Sequence, residues 1–198
     1  MHIAIIFFVL SIILLHLWAS GQFYLKSIDE EIIVSLNNPQ VQEKNELSVL
    51  SYNMAYARGS KDDAGDLRDK KTIQNNLQNL VTLIKQKNPD IVALQEIDFD
   101  SKRTHYINQF KFLMDRLDYH YGAYVVTWRK AYVPYPIGFK FWQHYGKIVS
   151  GQAILSKYPI TENIRIPLPQ PDENFKIYNS YYLTRCFQKC RINIGNRN

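Results

Sequence analysis

The sequence predicts an α/β fold, and three consecutive segments carry that prediction. Residues 46–53, ELSVLSYN, place apolar side chains on both faces of a strand, as expected of a strand that is covered on both sides. Residues 69–87 repeat apolar side chains at helical spacing, and residues 90–96 form a short, almost continuous apolar run. Strand, helix and buried strand within about fifty residues predict a βαβ unit with parallel strands.

The helix of this unit has signals at both ends. Asp66 or Asp69 can cap its start, and Asn88 followed by Pro89 ends it. The side chains predicted to face the core are Ile73, Leu77, Leu80, Val81 and Ile84.

Polar side chains end both strands of the unit. Asn53 ends the first strand, and Glu96 ends the second. The carboxyl ends of parallel strands lie at one edge of a sheet, so we expect the two side chains at a common rim. We expect Glu96 to be partly buried there, where a hard divalent cation bound by carboxylate and amide oxygens would compensate its charge. The competing interpretation is a solvated strand end.

The N-terminus predicts an apolar helix that meets a membrane. Residues 3–18 carry no charge, and only Ser11 and His16 interrupt the apolar run. Residues 1–25 are either a cleaved signal peptide, favoured by small residues at 19–21, or an uncleaved anchor, favoured by the lack of a basic N-terminal region. Both interpretations predict an exported or membrane-anchored protein, periplasmic or extracellular. Residues 26–45 then indicate a spacer before the main domain, 46–198.

The charge balance disfavours a nucleic-acid partner without excluding one. The net charge is +6, but all 18 acidic residues and 19 of the 24 basic residues lie at or before Glu173, which leaves 19 − 18 = +1 for that part of the chain. A basic tail is weaker support for a polyanion partner than a basic domain. Cys186 and Cys190 are too poorly placed for a mutual disulfide and have no neighbouring His for a metal site, so they stay unassigned.

The rest of the chain continues the α/β pattern. A second amphipathic helix is predicted at 104–117, followed by strands at 121–128 and 153–155. Residues 129–147 interleave aromatic and basic side chains around two prolines, which indicates a loop that contacts a ligand or completes the edge of the core. The scattered His105, His120 and His144 are expected at the surface.

Four segments in order, LSVLSYNM, NPDIVALQEID, DSKRTHYINQF and GQAILSKYPI, together resemble the endonuclease/exonuclease/phosphatase superfamily of metal-dependent phosphoesterases. The resemblance covers the chain from about Glu46 onward and corresponds to the N-terminal part of such proteins. It implies a DNase-I-like, four-layered α/β sandwich, here C-terminally incomplete. It also implies a Mg²⁺ or Mn²⁺ ion with Glu96 as a metal ligand and Asn53 as the catalytic residue beside it.

The resemblance says less about other residues. Arg185 falls where related sequences often carry an Arg, and the resemblance implies a substrate-binding role in which Arg185 faces the scissile phosphate. Arg103 matches a recurring position, but pairing with Asp98 or Asp100 would make it structural. The family's later motifs, which supply a general base, further metal ligands and a transition-state His, are missing. The sequence has no Asp or Glu after Glu173 and no His after His144.

These observations favour a metal-dependent hydrolase of phosphoester bonds that is truncated and of doubtful activity. The alternatives are a non-catalytic, membrane-tethered remnant and a binding module that uses the aromatic and basic loop. The type of phosphoester stays open.

Overall fold

The computed structural model describes residues 2–22, 31–36, 44–59 and 67–195. Helix α1, His2–Ala19, is the apolar helix predicted at the N-terminus, and almost all of its side chains are exposed. Its length and its mean hydropathy of 2.4 are sufficient to cross a membrane, a test that a signal sequence also passes.

Five strands form the main sheet, in the order β1-β4-β5-β3-β2. Their bounds are β1 Glu31–Ser35, β2 Val49–Asn53, β3 Ile91–Asp98, β4 Tyr121–Val133 and β5 Gly146–Ser156. Strands β2 and β3 are parallel and the other pairs are antiparallel, which confirms the predicted βαβ unit. A second, two-stranded sheet consists of β6, Ile160–Pro167, and β7, Cys186–Ile192.

Helix α2, Lys70–Lys87, connects β2 to β3. The side chain of Asp69 accepts a hydrogen bond of 2.9 Å from the backbone of Thr72, and Asn88 ends the helix with left-handed backbone angles. All five apolar side chains predicted for its inner face are buried.

Helix α3, Gln109–Met114, is shorter than the helix predicted at 104–117. His105 and Tyr106 have φ angles of 54° and 58°, so the backbone before the helix is left-handed. The side chain of Asn108 then caps α3 by accepting a hydrogen bond from the backbone of Lys111. The last helix, α4, is Lys176–Tyr181.

The described residues form three layers. Helices α2 and α3 pack on one face of the main sheet, where Leu77 and Leu113 meet Val92 and Leu94 of β3. The two-stranded sheet packs on the opposite face, where Ile160 meets Tyr121. The α/β class is therefore confirmed.

The segment 26–45, interpreted as a spacer from its mixed composition, contributes one strand to the sheet. Strand β1 pairs with β4 antiparallel, from Glu31 opposite Val125 to Ser35 opposite Tyr121. The side chain of Asn163 on β6 donates hydrogen bonds of 3.0 Å to the carbonyls of Ile32 and Tyr124, which ties the two sheets together. A strand of five residues is too short for its alternation to stand out in the sequence.

Candidate metal and phosphate site

The side chains of Asn53 and Glu96 meet where β2 and β3 end. Asn53 lies opposite Gln95 in the parallel register, one residue before Glu96. Asn53 Nδ2 donates a hydrogen bond of 2.9 Å to Glu96 Oε1, and Asn53 Oδ1 accepts one of 2.9 Å from the backbone of Ala55. Both ends of the Asn53 amide are thus held, which fixes the side of the carboxylate that it contacts.

Glu96 sits on a β-bulge rather than in a regular strand. The register between β3 and β5 shifts between Gln95 and Ile97, and Glu96 has a left-handed φ of 53°. In a regular strand, alternation would place Glu96 on the buried face with Val92 and Leu94. The bulge turns the carboxylate outward and gives the buried position to Ile97, which is 0% exposed. The expectation that Glu96 is partly buried is therefore wrong, because its side chain is exposed.

Residues 55–57 form a left-handed turn directly after Asn53, with φ angles of 41°, 45° and 60°. Two side chains from the helical layer hold this turn. Asn76 of α2 donates a hydrogen bond of 2.9 Å to the carbonyl of Ala57, and Gln109 of α3 donates one of 2.8 Å to the carbonyl of Tyr56. Unfavourable backbone angles are thereby retained beside the candidate site, where such angles are found most often.

Arg103 supports the same turn from beneath. Its guanidinium donates to both carboxylate oxygens of Asp98, at 2.9 and 2.7 Å, and lies 3.7 Å from the centre of the Tyr56 ring. Burial lowers the pKa of Arg103, but the charge of Asp98 outweighs that effect and the pKa is raised overall. The pairing with Asp98 confirms the structural interpretation of Arg103.

A cavity of about 340 Å³ opens beside Asn53. Residues 52–55 and 57 form one wall, and the α2 side chains Asn76, Asn79, Leu80 and Leu83 form the other. The amide groups of Asn76 and Asn79 give this wall hydrogen-bonding capacity. The cavity is wide enough for a small ligand next to the Asn53–Glu96 pair.

The donor set suits a cation that keeps most of its water. The described residues include no group of three or more His, Cys, Asp or Glu side chains placed to hold a metal ion. Glu96 supplies one exposed carboxylate, and Mg²⁺ is commonly held by one or two carboxylates, several waters and substrate phosphates. The residues present therefore fit a weakly held Mg²⁺ or Mn²⁺.

Among the described residues, the hydrogen bonds of Arg185 do not involve Asn53 or Glu96. Its side chain is exposed at the start of β7, and its Nη2 lies 3.3 Å from the hydroxyl of Tyr182. No hydrogen bond or ion pair in the described part of the chain joins Arg185 to Asn53 or Glu96. Its substrate-binding role stays a prediction.

The remaining singled-out residues are placed as follows. No disulfide joins Cys186 to Cys190, and burial raises the pKa of the Cys190 thiol to about 11. His144, expected at the surface, is 3% exposed. Its ring nitrogens contact the hydroxyl of Tyr132 and the carbonyl of Gly138, so it fixes the aromatic and basic loop.

The sequence reasoning missed the bulge and the support beneath the turn. The bulge has a signal in the sequence, because Gln95 and Glu96 are adjacent polar residues that break the alternation before Ile97. The contact of Arg103 with Tyr56 joins segments 47 residues apart and has no comparable local signal.

The chain belongs to the endonuclease/exonuclease/phosphatase family, whose sequence profile matches residues 50–183. This confirms the resemblance and supports a phosphoesterase-type function. No curated protein matches the chain.

Several solved structures are similar to the chain, and they include the following three. An endonuclease/exonuclease/phosphatase from Beutenbergia cavernae DSM 12333 is 21% identical, with a TM-score of 0.49 over 74% of this chain and 34% of that one. ANGEL2, a 2',3'-cyclic phosphatase, is 19% identical, with a TM-score of 0.39 over 75% of this chain and 36% of that one. A family protein from Leptotrichia buccalis C-1013-b is 18% identical, with a TM-score of 0.32 over 62% and 42%. The chain thus spans between about a third and two fifths of these structures.

Proposed function

We propose that this chain binds a divalent cation, Mg²⁺ or Mn²⁺, through Glu96 and serves the hydrolysis of phosphoester bonds. Asn53 is the residue that positions the Glu96 carboxylate and the bound phosphate. The observation that carries the proposal is the 2.9 Å hydrogen bond between Asn53 and Glu96 at the common end of two parallel strands. Membership of the family gives this pair its chemical context.

The chain's own residues supply orientation. The bulge directs the Glu96 carboxylate outward, and the Asn53 amide holds one of its oxygens. The other oxygen is then presented toward solvent, where a hydrated cation and a phosphate can approach. Glu96, oriented by Asn53, would hold the cation there, and the cation would supply polarisation of the phosphoryl group and stabilisation of charge on the leaving oxygen.

Turnover by this chain alone is expected to be slow. A positioned general acid or base typically contributes a factor of about 10² to 10⁴. The sequence carries no Asp or Glu beyond Glu173 and no His beyond His144, where the resemblance places those groups. We therefore assign to this chain the binding of the cation and the phosphate. We expect its own hydrolytic activity to be slow.

We also propose that α1 anchors the protein in a membrane or directs its export, so that the domain formed by residues 46–198 works outside the cytoplasm. The apolar, exposed surface of α1 supports this assignment. A phosphoester outside the cytoplasm is then the favoured class of substrate, and nucleic acid is a less favoured one.

The test compares the full chain with Glu96→Gln and Glu46→Gln variants. Both replaced side chains are exposed, but only Glu96 contacts Asn53. Mn²⁺ binding is measured by the loss of the free-ion electron paramagnetic resonance signal, and hydrolysis by release of nitrophenol from bis-p-nitrophenyl phosphate. We expect Glu96→Gln to lose Mn²⁺ binding and Glu46→Gln to keep it.

The results for Mn²⁺ binding and hydrolysis distinguish the proposed hydrolase from its alternatives. Equal Mn²⁺ binding by all three proteins would remove Glu96 from the site. Binding that depends on Glu96 without any hydrolysis would favour the non-catalytic, membrane-tethered remnant over the hydrolase. Hydrolysis that depends on both Glu96 and the cation would show that a partial site is sufficient for turnover.

A further inference from the structure

A second cavity, the aromatic pocket, has a volume of about 760 Å³. It is lined by Tyr145, whose hydroxyl lies 3.1 Å from the hydroxyl of Tyr56 in the turn after Asn53. Its walls come from the end of β4, the loop that follows and α4, and they are almost entirely apolar. The residues that matter here are Trp128, Ile137, Tyr145, Phe175, Tyr178 and Tyr181. Its volume lies within the range of pockets that hold small organic ligands.

The rim of the aromatic pocket projects large apolar side chains into solvent. Ile137 is 93% exposed and Phe175 is 88% exposed, and both line the pocket. Phe139 and Trp142, on the same loop as Ile137, are 90% and 70% exposed. A soluble surface rarely concentrates such side chains, because water makes no favourable contact with them, and a contiguous patch of this kind marks a contact with a partner or a membrane.

The C-terminal end of α1 lies against this pocket. His16 Nδ1 is 3.1 Å from the hydroxyl of Tyr181, which lines the pocket, and the ring of Trp18 stacks on Tyr132 with 6.4 Å between centroids. The backbone carbonyl of Tyr181 in turn accepts a hydrogen bond of 2.8 Å from Trp128 Nε1. A lipid bilayer entered by α1 would therefore begin next to the pocket.

We propose that the aromatic pocket takes up an acyl chain of a membrane lipid and that its exposed rim lies in the bilayer interface. This inference rests on the membrane association of α1 proposed above. Tyr and Trp side chains favour the interface because their rings are apolar and their hydroxyl and N–H groups reach water. Exposed Lys140 and Lys176, which follow Phe139 and Phe175 directly, suit the phosphate groups at that depth.

The bilayer accounts for the pocket and the helix together. A soluble apolar ligand would fill the pocket but would leave the rim and the long exposed face of α1 in water. A protein partner would need to cover three separate elements. A bilayer covers the apolar surface of α1, the rim and the mouth of the pocket at one boundary.

The test uses Trp128 as a reporter inside the pocket. The full chain carrying Trp18→Phe and Trp142→Phe keeps Trp128 as its single tryptophan; the two replaced side chains are 49% and 70% exposed, so the fold tolerates their loss. This protein is reconstituted into phosphatidylcholine vesicles whose acyl chains are either brominated or unmodified. We expect brominated chains to reduce the emission of Trp128 and aqueous iodide to leave it unchanged. Emission that iodide reduces and brominated chains do not would overturn the proposal.

Matched variants locate the effect at the rim. Phe139→Ser with Phe175→Ser on the same background should weaken quenching by brominated lipid. Phe187→Ser removes a phenyl group that is 63% exposed on β7 and does not line the pocket, so quenching should be unchanged. Equal loss of quenching in both proteins would contradict a specific role of the rim. Mn²⁺ binding, measured on the same samples, reports on Glu96 independently, so failure of the metal proposal and failure of the lipid proposal give different results.

Discussion

The guanidinium of Arg103 and the carboxylate of Asp98 form a two-pronged ion pair inside the protein. The side chains are 4% and 0% exposed, and Thr104 Oγ1 donates a further hydrogen bond of 3.1 Å to Asp98. The Tyr56 ring covers the guanidinium, so the turn after Asn53 rests on this pair. The geometry of the candidate site thus depends on a charge pair that does not belong to the site.

Replacing Arg103 by Met should destabilise the protein by about 3 to 5 kcal/mol, because the substitution leaves the Asp98 carboxylate buried without its partner. The measurement is the free energy of unfolding from urea denaturation. Arg103→Met together with Asp98→Leu should recover part of the loss, since the uncompensated charge is then gone.

An exposed ion pair provides the comparison. Lys111 and Asp115 are also 2.9 Å apart, but their side chains are 71% and 46% exposed. Lys111→Met should change the free energy of unfolding by less than about 0.5 kcal/mol. Similar effects at Arg103 and Lys111 would show that Arg103 is not the support of the turn.

Local patterns in the sequence were sufficient for the βαβ unit. The apolar spacing of α2, the cap at Asp69 and the stop at Asn88 all lie within the element that they define, and the parallel pairing of β2 and β3 follows from the helix between them. The meeting of Asn53 and Glu96 follows from the same topology.

Features that depend on distant contacts were not predictable. The bulge at Glu96 leaves two polar residues adjacent in the sequence, but its partner is β5, whose Gln152 and Gly151 lie opposite Gln95 and Ile97. Strand β1 exists because β4 offers it an edge, and the Tyr56 ring lies over Arg103, which is 47 residues further along the chain. None of these partners is a sequence neighbour.

Asn53→Ala should weaken Mn²⁺ binding by about 10-fold to 100-fold, the usual effect of removing a residue that orients a metal ligand. The carboxylate of Glu96 remains, but nothing fixes its rotamer. Asn79→Ala is the control, because Asn79 lines the same cavity without contacting Glu96. Titration calorimetry on both variants measures the affinity; an unchanged affinity in Asn53→Ala would leave Asn53 without a positioning role.

Asp90 should make stability fall in acid. Burial raises the pKa of Asp90, but hydrogen bonds from Lys44 and from the backbone and hydroxyl of Ser48 outweigh it and lower the pKa to about 2. The carboxylate therefore contributes stability above about pH 4, the value of an unfolded Asp, and this contribution is lost as the pH falls toward 2. We expect a loss of about 1 to 2 kcal/mol from this group.

The Asp90→Asn variant isolates that contribution. It should be less stable than the wild type at neutral pH and should lose less stability between about pH 5 and pH 2. Urea denaturation across this range measures both slopes. Parallel slopes would mean that other carboxylates cause the acid sensitivity.

The left-handed backbone of Glu96 predicts a conflict between stability and function. A residue with a Cβ atom costs about 1 to 2 kcal/mol in this conformation, whereas Gly adopts it freely. Glu96→Gly and Glu96→Ala both remove the carboxylate, so neither should bind Mn²⁺, but Glu96→Gly should unfold at the higher urea concentration because only it relieves the φ of 53°. Part of the gain is offset by the greater freedom of Gly in the unfolded chain, which leaves about 1 kcal/mol between the two variants. Equal stability of the two variants would show that the bulge is not strained, and Mn²⁺ binding retained by either would show that the Glu96 carboxylate is not the metal ligand.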